Sequence, residues 1–160
     1  MIIVIYQGQM ARSRPDGDDT EARAPAGLFA STGFLLAIVG ADSRRRFAQS
    51  LERWDLRPSH FGALMSLGEL GTTSQQELGR LTGVDPRNLV PILDLLEDRR
   101  LLERLPDPKD RRRHSVRLTR AGRTLLGELQ ESGAAVEEEM LGELSAAERK
   151  ALHALLLKLA

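Results

Sequence analysis

Three groups of side chains in this 160-residue chain have the types and spacing to contact a nucleic acid. The first is Arg87-Asn88, directly after Asp85-Pro86. A guanidinium offers a two-pronged donor to guanine O6 and N7, and an asparagine amide matches the N6/N7 edge of adenine. Each such pairing discriminates by roughly 1–3 kcal/mol. The second group is Lys109-Asp110-Arg111-Arg112-Arg113, with four cations and one acid in a stretch that no core would bury. An arginine on such a tip fits the narrow minor groove, where the negative potential is strongest. Asp110 is spaced to hold the Arg112 guanidinium in one orientation. Thr73, Ser74 and Gln75 form a third group, placed at a helix start to position phosphates.

Base-reading side chains need a helix, and the surrounding pattern supplies one. Asp85 reads as an N-cap and Pro86 as the first helical residue. Leu89, Ile92, Leu93 and Leu96 then recur at i, i+3, i+4, i+7, which makes that face core. Arg87, Val90, Pro91 and Asp94 consequently face elsewhere. Pro91 is the awkward member: it forfeits the bond to the Arg87 carbonyl and costs roughly 3 kcal/mol or a kink. The preceding helix opens with a capping box, Ser74-Gln75-Gln76-Glu77, turns Leu78 and Leu81 inward, and ends at Gly83.

The cationic loop needs a hairpin. Residues 101–105 and 115–118 are short and strand-like on either side of the polar run 106–114. Upstream, a helix over about 28–53 carries Leu36, Gly40, Ser43, Phe47 and Leu51 on one side, and Arg57-Pro58-Ser59 breaks it. A helix over about 59–70 follows, with Phe61, Leu64, Met65 and Leu67, and Gly71 closes it. Downstream, Thr119 caps a long helix to about Met140. Ser145-Ala146-Ala147-Glu148 opens a Leu-rich last helix to Leu159. The predicted fold is mainly α with a small β-hairpin wing (α+β): a winged helix-turn-helix over about 57–119, flanked by N- and C-terminal helices.

Composition sets the bounds. Hydrophobic residues make up 41% of the chain and charged ones 29%, enough for one ordinary domain over residues 28–160. Residues 1–27 read as a flexible N-terminal extension, with Met10 a second candidate start. Without cysteine there is no disulfide framework, Cys-ligated zinc or thiol switch. The longest apolar run, Phe34 to Ala41, is far short of the roughly 20 residues a membrane helix needs, and no signal peptide is legible. The expected compartment is the cytoplasm. Lys and Arg number 23 against 23 acids, but they are segregated. Residues 85–123 hold 11 basic against 7 acidic residues, and residues 124–160 hold 3 against 7. A neutral chain can therefore carry a basic face.

Other conspicuous residues take plainer readings. Arg44-Arg45-Arg46 and Glu137-Glu138-Glu139 read as solvated helix faces, His60 as a capping or interface residue, and Trp54 as packing. His60, His114 and His153 lack metal-ligand spacing, so no metal or cofactor is expected. No P-loop, dinucleotide fingerprint or nucleophile elbow is present, so catalysis is not expected either.

Gln76 to Leu81, Gly83-Val84-Asp85-Pro86 and Leu93 to Glu97 resemble the MarR family of bacterial winged-helix transcriptional regulators. The strongest element is Asp110-x-Arg112 followed by Leu118-Thr119-x-x-Gly122, which is similar to the family's wing and following helix. The resemblance covers about residues 30–160, with specific motifs over 74–122. It implies a sequence-specific double-stranded DNA-binding regulator, a repressor, acting as a homodimer on a near-palindromic operator. The dimerisation helices would be about 28–53 and 120–160. It also implies a small aromatic or phenolic effector near the junction of the dimerising and DNA-binding parts. Arg87 and Asn88 depart from the small hydroxyl residues common early in that family's recognition helix. Pro91 and the neutral overall charge leave one rival reading, a winged-helix protein-interaction or ligand-sensing module that does not bind DNA.

Overall fold

The computed structural model describes residues 26–82, 84–106 and 114–159. Helix α1 covers Ala26–Phe29 and α2 covers Thr32–Leu51; a 3-10 turn, Glu52–Trp54, follows. Then come α3 (Pro58–Leu70), β1 (Thr73–Ser74), α4 (Gln75–Thr82), α5 (Pro86–Asp98), β2 (Leu102–Pro106), β3 (His114–Leu118), α6 (Arg120–Leu141) and α7 (Ala146–Leu157). The chain divides into two compact units with a boundary between Asp42 and Ser43.

The single helix expected over 28–53 is instead interrupted at Ser31. The Phe34 N–H donates to Ser31 Oγ at 3.3 Å, so the serine starts α2 afresh rather than continuing α1. At the other end Asp55 adopts a left-handed conformation (φ 52°) that stops the 3-10 turn. Arg57 is extended, as a residue before proline must be, and Pro58 takes the first position of α3. Gly71, at φ 71°, closes α3, and its N–H donates to the Leu67 carbonyl at 3.0 Å.

The sheet has three antiparallel strands in the order β1-β3-β2, one more than the hairpin expected from sequence. Thr73 pairs with Val116 and Ser74 with Ser115, while Leu102 faces Leu118 and Pro106 faces His114. The core of the second unit is almost entirely leucine. Leu64 and Leu67 from α3, Leu93 and Leu96 from α5, Leu102 and Val116 from the strands, and Leu129 from α6 are all 0–1% exposed. Phe47 and Phe61 extend this core edge-to-face at 5.0 Å.

Leu81 departs from its expected inward place and is 47% exposed. Gly79 is the buried neighbour of Leu78, and a Cβ there would already touch Leu89 at 3.4 Å. The close approach of α4 and α5 thus runs over Leu78–Gly79, which turns Leu81 to the flank. Gly83 lies outside the described residues. The Arg44–Arg46 and Glu137–Glu139 runs are not merely solvated. Arg46 pairs with Glu139 at 2.6 Å and Arg149 with Glu138. No helix among the described residues is long and apolar enough to cross a membrane.

Candidate nucleic-acid interface

Two short helices and the sheet hold the candidate residues in place. Ser74 Oγ accepts from the Glu77 N–H at 3.1 Å, which starts α4. Glu77 does not reach back to complete the expected capping box; its carboxylate pairs with Arg80 at 2.7 and 2.9 Å. At the start of α5, Asp85 Oδ1 accepts from the Arg87 N–H at 2.7 Å, with Pro86 at the first position. Leu89, Ile92, Leu93 and Leu96 bury one face of α5. That burial fixes the helix about its own axis and turns Arg87, Asn88, Val90, Pro91 and Asp94 outward, all exposed. The helix runs unbroken through Pro91 from Pro86 to Asp98.

A charge cluster missing from the sequence reading ties α5 to the wing. Arg104 on β2 reaches Asp94 Oδ1 at 2.6 Å with one nitrogen and Glu97 with another. Its backbone N–H also donates to Glu97 at 3.3 Å. Arg117 and Glu103 pair across β2 and β3 at 2.8 Å. Asp94 therefore lies on the outward stripe with its charge compensated from the wing strand.

The structure brings Thr73, Ser74 and Gln75 together at the start of α4, half-buried, with Thr73 and Ser74 in β1. Lys109, Asp110, Arg111, Arg112 and Arg113 lie outside the described residues. Their frame is described: Pro106 and His114 are opposite one another at the open ends of β2 and β3. Thr119 Oγ1 accepts from the Gly122 N–H at 3.0 Å, so the expected cap of α6 is present.

Two further features lie beside this frame. His60 is 8% exposed, and its Nδ1 accepts the Arg57 N–H at 3.0 Å, which makes it the cap of α3. Burial, and then the neighbouring Arg57 and Arg99 charges, hold its pKa below the ordinary histidine value. Between α3, β3 and α6 there is a cavity of about 630 Å³ lined by Met65, Gly68, Arg117, Arg123, Leu126 and Gln130, among others. Among the described residues no cluster of three or more His, Asp or Glu is placed to hold a metal.

Two successive helices separated by residues 83–85, the second bearing an outward Arg-Asn pair, and the antiparallel strands β2 and β3 that flank the basic segment define a winged helix-turn-helix. The MarR family model matches residues 54–113. The transcriptional repressor NicR of Pseudomonas putida is 37% identical over 99 residues, 62% of this chain and 63% of NicR. The multiple antibiotic resistance protein MarR of Salmonella typhimurium is 30% identical over 79% of this chain and 89% of its own length. Among solved structures, Bordetella bronchiseptica BpsR, whose DNA binding is regulated by 6-hydroxynicotinic acid, superposes with a TM-score of 0.69. It is 29% identical over 85% of this chain and 97% of BpsR. The chain belongs to the MarR family, a family of transcriptional regulators.

Proposed function

We propose that this chain is a cytoplasmic, sequence-specific regulator of transcription, a repressor that binds a near-palindromic double-stranded operator as a homodimer. The observation that carries this reading is the outward stripe of α5. Arg87 and Asn88 stand exposed at the end of a helix whose opposite face is locked in core. Arg87 would read guanine and Asn88 adenine, while Thr73, Ser74 and Gln75 position phosphates. Arg112, braced by Asp110 and flanked by Lys109, Arg111 and Arg113, would enter the minor groove. Pro91 lies on the same groove-facing stripe. The terminal helices, about 28–53 and 120–160, would form the dimer. Leu155, Leu156, Leu157 and Leu159 are 42–74% exposed, apolar surface that a second copy would cover. Two recognition helices would then enter successive major grooves about 34 Å apart.

The effector is a small aromatic or phenolic molecule. Its regulation of BpsR supports the class, and the cavity between α3, β3 and α6 supports a place for it, with Arg117 and Arg123 at its wall. A pair of substitutions tests the assignment of roles on DNA selected from a random pool. Arg112→Ala should weaken binding to all sequences and reduce the salt slope by about 1, whereas Arg87→Ala should relax preference at one base in each half-site. An Arg87→Ala protein with unchanged sequence preference would contradict the base-reading role.

A further inference from the structure

The outward stripe of α5 sets two residues that are poor for a helix side by side in the open. Val90 is 40% exposed, and Pro91 is exposed beside it. Valine loses side-chain freedom in a helix, and an interior proline removes a hydrogen bond. Neither is needed by the core, which Leu89, Ile92 and Leu93 fill from the other face. An exposed position that only had to keep the helix soluble would favour Glu, Lys or Gln. Residues that break a local rule without a packing reward mark functional surface.

The patch has polar borders. Arg87 precedes it on the stripe, and Asp94 follows it with its charge taken up by Arg104. The stripe therefore reads cation, apolar pair, compensated acid. On the edges of base pairs in the major groove, the one apolar group is the C5 methyl of thymine. Proline has no side-chain rotamers to lose, and valine has few, so both would be immobilised there at little entropic cost. Building on the DNA-binding reading above, we propose that Val90 and Pro91 read thymine methyl groups in the base pairs next to the one contacted by Arg87.

Deoxyuridine differs from thymidine by that methyl alone, so it isolates the contact. The full chain is used to select its preferred duplex from a random pool, and each thymine of one half-site is then replaced singly by deoxyuridine. Fluorescence anisotropy should show a loss of about fourfold in affinity at one or two of these positions, the factor that one buried methyl group is worth. Val90→Ala and Pro91→Ala proteins should bind the original duplex more weakly and lose that sensitivity to uracil, while circular dichroism shows the same helix content or more. Selection of a defined sequence whose thymines all tolerate uracil would overturn the proposal and leave the DNA-binding reading intact. Selection of no sequence over the starting pool would overturn both.

Discussion

A Cβ on Gly122 would lie 1.9 Å from the carbonyl oxygen of Leu101, so α6 approaches the turn before β2 only because residue 122 has no side chain. The same carbonyl accepts from the Thr119 N–H at 3.0 Å, and Thr119 in turn caps Gly122. This gives the Leu118-Thr119-x-x-Gly122 pattern a physical reason: it locks the wing to the helix that follows. Gly122→Ala should cost about 3 kcal/mol or more, since the clash is with backbone that cannot rotate away. Gly127→Ala on the same helix, with nothing within 4 Å of the added carbon, should be neutral or stabilise by up to about 1 kcal/mol. Urea unfolding of the two proteins makes the comparison.

Arg104 should matter more for DNA binding than its position on the wing strand suggests. Removing it leaves Asp94 uncompensated on the stripe proposed to face DNA and unties β2 from α5. Arg104→Ala should lower stability by about 1 kcal/mol, as expected for a partly exposed ion-pair network. It should lower operator affinity by a larger factor, and Asp94→Asn in the same protein should restore part of that affinity. Anisotropy on the single and double variants gives the coupling directly.

His60 makes stability depend on pH. Burial, and then the Arg57 and Arg99 charges, hold its folded pKa below the ordinary value, and the neutral ring accepts the Arg57 N–H. The unfolded chain therefore binds more protons as pH falls. The contribution is fully present above pH about 6.5 and is lost as pH drops toward the folded pKa. A glutamine at the same helix position can accept that N–H without titrating. His60→Gln should match the wild type at pH 8 and lose less stability by pH 5.5, measured as urea midpoints.

Filling the cavity between α3, β3 and α6 should separate DNA binding from its control. Gly127 lines this space and has no neighbour where a side chain would start. Gly127→Leu should fold and bind operator like the wild type, and small aromatic acids that release the wild type should no longer release it. Release of both proteins at the same concentration would place the effector elsewhere.

Much of the frame was legible because its signals are local. Asp85, Thr119 and Ser145 cap the helices they were expected to cap, and the spacing of Leu89, Ile92, Leu93 and Leu96 gave the orientation of α5. What escaped depends on partners distant in sequence. Thr73 and Ser74 carry no strand signal of their own and become β1 only by pairing with Val116 and Ser115. Arg104 and Asp94 read as separate surface charges until β2 is laid against α5. Leu81 lost its inward place to Gly79, because helix spacing records which residues are apolar and not where a neighbouring helix comes closest. The candidate DNA contacts at residues 109–113 rest on sequence, and their frame on the β2–β3 register.

The most direct test of the DNA-binding role is fluorescence anisotropy of the purified chain with labelled duplex from upstream of its own gene, titrated with salt. A scrambled duplex of equal length serves as the control. Binding in the nanomolar range, about a thousandfold tighter than to the control and falling steeply with salt, is the expected result. No binding to either duplex at low salt would contradict it and return the chain to the protein-interaction reading.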